Sequence, residues 1–474
     1  MTRRAKGRPG RKGGIHVHDV AQSSLAPEHP WPVKHAKTDV GTRVVAQLEQ
    51  LVESELSPVE RLEHGWHVFQ GIQTGADAYT RRIDKRLTRE ARTQLAAAGA
   101  HFGDPILELP AGLELKLPWS QHPELLVRAP EPWALLYGAI DEVDYVSVVM
   151  LDANQPPTDV LAALDRWRPL LATRAEIARN ARRRWWETAW RRDTRALSAP
   201  KVITINRTDR GRFALDETGE WQLTIKCTAV TSRSGAGPVA YLCGLLNSEL
   251  LDLWYAVRGR TPWHVRRNYE PKRMNEIPYR QPEGDPRAKT VTDLVRALAA
   301  NRRALLPHRA VVRDLARIVK DPWKAGPVDV DRAAVIRELP ESEVVSVRLD
   351  PELDARVGDP PLGRPHRLDE RTLVFRRGNA ETARITGENA RIDLLAELTG
   401  GKAPDDLRSV LLPRDLKAFE KRMGERANLV GRLLAEGRRM VEEVERLVCA
   451  LYDVQDDLTE EVVAHAVVRA GRTA

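Results

Sequence analysis

Cysteine is nearly absent: the 474-residue chain has three, Cys227, Cys243 and Cys449. No two of them form a C-x-x-C pair and the number is odd, which argues against both a disulfide framework and a thiolate zinc site. The 12 histidines include no H-E-x-x-H and no H-x-x-x-H spacing, so no helix-borne zinc site is expected. No apolar run approaches the ~18 residues of a membrane span. The N-terminus has no hydrophobic signal region, so the expected compartment is the cytoplasm, with no membrane partner. Charge is not strongly one-sided either. Lys and Arg number 75 against 67 Asp and Glu, a net charge of +8. With so small an excess, its distribution carries more information than its total.

That distribution is uneven. Arg166 to Arg195 holds ten arginines against Glu176, Glu187 and Asp193, with Trp167, Trp185, Trp186 and Trp190 interleaved. Arginine forks pair with phosphate or with the guanine edge, and indoles pack beneath them or stack on bases. The spacing of Trp186 and Trp190 equally suits core anchors on one helix face. Met1 to Gly14 is a second basic stretch, without acids. It reads either as an arm touching phosphates or as a solvated tail.

Lys201 to Ile277 is the most legible region. Lys201–Ile205 is a β-branched run. Arg212–Asp216 and Trp221–Lys226 flank Glu217-Thr218-Gly219-Glu220 and read as a hairpin. Tyr241 to Tyr255 changes to a helical period. Upstream, Trp66–Gln70 reads as a strand entering Gly71-Ile72-Gln73-Thr74-Gly75, where glycines permit a tight turn and close backbone approach.

These residues carry a resemblance. Phe69–Gly75, then Trp185-Trp186-Glu187 with Trp190–Asp193, then Ser198–Ile203, Phe213–Asp216, Tyr241–Ser248 and Asn275–Pro278 are similar, in this order, to segments of the TaqI-like C-terminal specificity domain. That domain is the target-recognition module of adenine-specific DNA methyltransferases and of fused restriction–modification enzymes. The resemblance covers roughly half the chain. It implies an α+β fold, double-stranded DNA as ligand, and a methyltransferase or nuclease subunit as partner. The implied DNA-binding residues are Gln70, Gly71, Gln73, Thr74 and Gly75 in the first segment. Arg182, Arg183, Arg184, Trp185, Arg191 and Arg192 follow in the tryptophan–arginine block, and Lys201, Arg207, Arg210 and Lys226 on the strands.

The catalytic half of such an enzyme is not seen. An adenine methyltransferase needs a glycine-rich loop for S-adenosylmethionine and an Asn/Asp-Pro-Pro-aromatic motif that holds a flipped adenine. Asp359-Pro360-Pro361-Leu362 lacks the aromatic. In Asn154-Gln155-Pro156-Pro157-Thr158 a residue separates Asn from the prolines, and Thr158 cannot stack. Gly235-Ala236-Gly237-Pro238 lies inside the recognition-like region. No catalytic residue, cofactor or metal ligand is therefore assigned to this chain, and S-adenosylmethionine is expected on a partner.

The remaining sequence sets the expected domain plan: a basic arm at 1–39, the recognition region at 40–282, a helical segment at 283–325, a small β-rich insertion at 326–402, and a long helix with a helical end at 403–474. In the long helix Leu429, Leu433, Met440, Val444, Leu447 and Leu451 form a stripe that can pack on the chain itself or on a partner. The leading expectation is a sequence-specific DNA-binding component of an adenine methyltransferase, restriction–modification or phage-defence system. The alternatives are a diverged methyltransferase with activity of its own and a non-catalytic coiled-coil scaffold.

Overall fold

The computed structural model describes residues 39–472, apart from 55–56, 153, 191–192, 234–236, 259–266, 322, 324–327, 359–361 and 401–405. The fold is α+β, with helices and several small sheets. The chain forms two compact units, one of residues 1–303, 319–324 and 437–474, the other of residues 304–318 and 325–436. The division follows packing rather than sequence order: the helix Pro286–Leu305 up to Arg303, and the end of the long helix Leu416–Leu451, fall in the first unit.

The first unit is built on a four-stranded antiparallel sheet in the order Trp66–Gln70, Cys227–Ser232, Lys201–Ile205, Phe213–Asp216. Alternation with period two sends side chains to opposite faces. Val68, Val202, Phe213, Leu215 and Val230 enter a core shared with Asp39–Glu53, Val239–Asn247, Glu249–Arg258 and the end of the long helix. Phe69, Ile203, Ala214, Cys227 and Ala229 enter a second core. There they meet Ala129, Val146 and Val148 of a three-stranded sheet ordered Glu108–Pro110, Tyr145–Val149, Leu126–Pro130. The central sheet is thus covered on both faces. The three cysteines are free and buried.

Several sequence expectations change here. Phe213–Asp216 pairs with Lys201–Ile205 and not with Trp221–Lys226. The Asp216 carboxylate accepts N–H groups from Gly219 at 2.9 Å and Trp221 at 3.2 Å. Gly219 has φ +76, and a Cβ on it would lie 2.1 Å from the Ser198 carbonyl oxygen. Asp216 thereby ties down the turn and leads the chain out of the sheet; the next strand is Cys227–Ser232. The apolar run Trp133-Ala134-Leu135-Leu136-Tyr137, which reads as a strand in the sequence, begins instead in the 3-10 turn Pro132–Ala134 and makes one bridge, Leu135 to Ile140. The helix expected over Tyr241–Tyr255 is two helices, broken where the Ser248 hydroxyl accepts the Leu251 N–H at 3.2 Å.

The long helix runs from Leu416 to Leu451. Val444, Val448 and Leu451 pack in the same core as Val291 and Val295, so this half of the stripe is consumed within the chain. The second unit holds a four-stranded antiparallel sheet ordered Leu353–Val357, Ala380–Gly387, Thr372–Arg377, Arg364–Asp369, with the helix Asn389–Gly400 packed against it. A short pair, Val344–Ser346 with Leu411–Pro413, lies in the same unit.

Candidate nucleic-acid interface

Three sequence blocks meet at Gly71–Gly75. Ile72 N–H donates to the Leu223 carbonyl at 2.7 Å, and Ile225 N–H returns a bond to the Ile72 carbonyl at 2.8 Å. Gly71 N–H donates to the Cys227 carbonyl at 3.2 Å. A Cβ on Gly71 would sit 2.3 Å from the Thr224 carbonyl oxygen, so only glycine fits this crossing of two backbones. Trp190 N–H donates to the Gln73 carbonyl at 3.0 Å. The segments around residues 72, 190 and 224 are therefore brought together at one place in the fold.

Arg174 fastens the site from below. Its guanidinium donates to the carbonyls of Leu171 at 3.0 Å, Thr74 at 2.7 Å, Trp185 at 2.7 Å and Glu187 at 2.8 Å. It is buried, and burial lowers its pKa to about 10. Sequence reasoning missed Arg174, because nothing local separates a buried clamp from the nine other arginines of the stretch.

Arg183 does similar work. It meets the Glu187 carboxylate at 3.2 Å and donates to the Thr188 carbonyl at 2.7 Å and to that of Ala189. Its expected phosphate contact is corrected to an internal brace. Arg182 and Arg184 on the same turn are exposed, and among the described residues neither side chain has a hydrogen-bond or ion-pair partner. Arg179 and Arg195 are exposed likewise. Arg191 and Arg192 lie outside the described residues.

The tryptophans divide. Trp167 is buried, and Trp185 and Trp186 meet edge to face with centroids 5.6 Å apart. The Trp186 indole N–H donates to the Asp152 carbonyl at 3.2 Å. Arg166 lies over the Trp167 ring and Arg168 over the Trp185 ring, at 4.5 and 5.5 Å. Trp190 is 46% exposed. Its side-chain hydrogen bond is the largest of the causes that hold the Glu176 carboxyl below its usual range.

The strand cations are corrected more sharply. Lys201 is fully buried, with its ammonium 2.7 Å from Asp216 and 3.2 Å from the Ala199 carbonyl; burial lowers its pKa. It has no surface to offer a polyanion. Arg210 is committed to Glu249 at 3.1 Å and Asp321 at 3.0 Å. Lys226 meets Glu108 at 2.8 Å and Glu131 at 3.9 Å, so two carboxylates take up its charge. Burial raises the pKa of both carboxyls. Glu108 also accepts from the buried Thr74 hydroxyl at 3.5 Å. Gly71 and Thr74 are likewise buried structural positions. Gln70, Gln73 and Trp185 remain partly open, and Gly75 and Arg207 are exposed, the latter 3.9 Å from Glu270.

Asn154 is an exposed turn residue whose N–H donates to the Asp152 carboxylate at 2.8 Å, and Thr158 opens a helix. The Asp359-Pro360-Pro361 run and residues 235–236 of the glycine candidate lie outside the described residues.

No protein-family model matches the chain. No curated protein is significantly similar to it. Among the described residues no helix is long and apolar enough to cross a membrane.

Proposed function

We propose that this chain is the DNA-recognition component of an adenine-specific DNA methyltransferase, restriction–modification or phage-defence system, acting with a catalytic partner chain. The observation that supports this most is the convergence at Gly71–Gly75. Two segments more than a hundred residues apart, each similar to part of a target-recognition module, are joined there by a main-chain hydrogen bond from Trp190 to Gln73, and the chain at Leu223–Cys227 is bonded to the same loop. In this reading Arg182 and Arg184 neutralise phosphates, because they stand in solvent with no acid to satisfy them. Gln70 and Gln73 flank the loop with partly open amides, a group that pairs bidentately with adenine. Trp190 offers a ring face for an unstacked base. The methyl donor, S-adenosylmethionine, belongs to the partner and supplies the transferred methyl group there.

The test is duplex binding by the full chain, followed by fluorescence anisotropy across a salt series. The double variant Arg182→Ala/Arg184→Ala should flatten the log–log salt slope by about 0.9 per lost phosphate contact. It should leave stability within ~0.5 kcal/mol, as surface changes do. An unchanged slope removes both arginines from the interface.

A further inference from the structure

One face of the sheet of the second unit packs against a helix, and the other carries a row of exposed arginines. Leu373, Phe375, Ala383 and Ile385 are buried on the inner face, against the helix Asn389–Gly400. Arg367 reaches that helix and pairs with Asp393. Alternation sends Arg356, Arg364, Arg376 and Arg384 to the other face, together with Asp354 and Glu381.

The register of these arginines is unusual. Arg356 stands directly opposite Arg384, and Arg364 directly opposite Arg376. Like charges directly opposite each other destabilise a sheet. The acids offset this cost unevenly: Asp354 is 3.4 Å from Arg356, and Glu381 accepts from Arg384 at 2.8 and 2.9 Å while standing opposite Arg376 in the register, which leaves Arg364 without a facing acid among the described residues. Among the described residues, Arg364 and Arg376 have no ion-pair partner, and both are exposed. The central apolar side chain of this face, Val374, is only 1% exposed. The face therefore offers mainly charge, with Leu368 on its edge strand the one large apolar side chain that is exposed among its described residues.

The two arginine pairs are two strand spacings apart and one side-chain repeat out of step. Strand geometry makes that separation roughly 12 Å. The major groove of B-DNA is about 12 Å wide between its phosphate rims. We propose that this face binds duplex DNA through its phosphates, one arginine pair on each side of a groove. The proposal rests on the reading of the chain as a DNA-binding protein, and it gives the second unit a role that the recognition motifs do not cover.

The test uses the full-length protein and a labelled mixed-sequence duplex, with anisotropy read across a salt series. The variants are Arg364→Ala/Arg376→Ala and Arg356→Ala/Arg384→Ala. The control is Arg337→Ala/Arg348→Ala, which removes the same charge from exposed positions of the same unit that lie off the sheet. Each face variant should flatten the slope by up to ~1.8 and weaken binding roughly tenfold, and the control should do neither. Thermal unfolding should show Arg364→Ala/Arg376→Ala no less stable than the parent, because a like-charge pair is relieved, while Arg356→Ala/Arg384→Ala also loses the exposed pairs with Asp354 and Glu381 and should remain folded. Equal effects of face and control variants overturn the proposal, as does no effect of either. A parent that binds single-stranded RNA in preference, with only that binding lost in the face variants, also overturns it. If Arg182→Ala/Arg184→Ala changes the slope and the face variants do not, this inference alone fails. If the parent binds no duplex, the proposed function fails with it.

Discussion

In the first unit the central sheet is packed on both faces, and its cation Lys201 is spent on Asp216 inside the protein. In the second unit one face of the sheet packs against a helix, and the arginines of the other face are exposed and stand opposite one another in the register. The side chains carry the same charge and sit on the same kind of strand, yet their work differs. A covered cation must be neutralised by a neighbour, because removing a charge from water costs several kcal/mol. An uncovered cation keeps its hydration and is under no such demand. The contrast recurs within a single turn, where Arg183 is braced by Glu187 while the side chains of Arg182 and Arg184 have no partner among the described residues.

The covered side of this contrast should break hardest. Lys201→Met leaves Asp216 buried without its counter-ion, and such a loss costs about 3–5 kcal/mol. Chemical denaturation of the variant should show that loss. A change within about 1 kcal/mol would mean that the two N–H groups on Asp216 suffice without the lysine.

A smaller and pH-dependent effect belongs to Glu445. Its buried carboxylate accepts the first N–H groups of the helix Glu249–Arg258, at 2.6 Å from Glu249 and 3.0 Å from Leu250. Burial pushes its pKa up to about 7, against an ordinary value near ~4.3 in an unfolded chain. Between these two values the folded protein holds a proton that the unfolded chain has released. Stability should therefore fall as pH rises through that window, by roughly 3–4 kcal/mol in all. Nearby Glu249 and Asp252 have lowered pKa values despite burial, through Arg469, Arg210 and Arg267. Their contribution runs the other way: it is present above the unfolded carboxyl range and lost as the pH falls below it. Denaturation midpoints of Glu445→Gln against the parent, taken from about pH 5 to pH 7, isolate the first effect. Parallel curves would show that Glu445 does not titrate there.

Much of the architecture was legible in the sequence because it is periodic. Trp66–Gln70, Tyr145–Val149 and the long helix Leu416–Leu451 follow their patterns closely. The mistaken hairpin arose because Glu217–Glu220 has turn composition, while the tie that turns the chain away is made by the side chain of Asp216. The candidate site was half legible. Glycine at Gly71 and the basic turn at Arg182–Arg184 stand out locally. Lys201 reads as a surface cation because lysine is almost never fully buried without a partner, and its partner lies fifteen residues away. The Arg174 clamp depends on carbonyls brought from four places, which no local pattern encodes.

The account stands or falls on whether this chain selects a DNA sequence. The direct measurement is to present the full chain with a pool of randomised duplexes and sequence the bound fraction over successive rounds. The account predicts enrichment of one short site containing an adenine, with selection lost in Gly71→Ala while salt-dependent binding persists. A bound pool with the same composition as the input would contradict it.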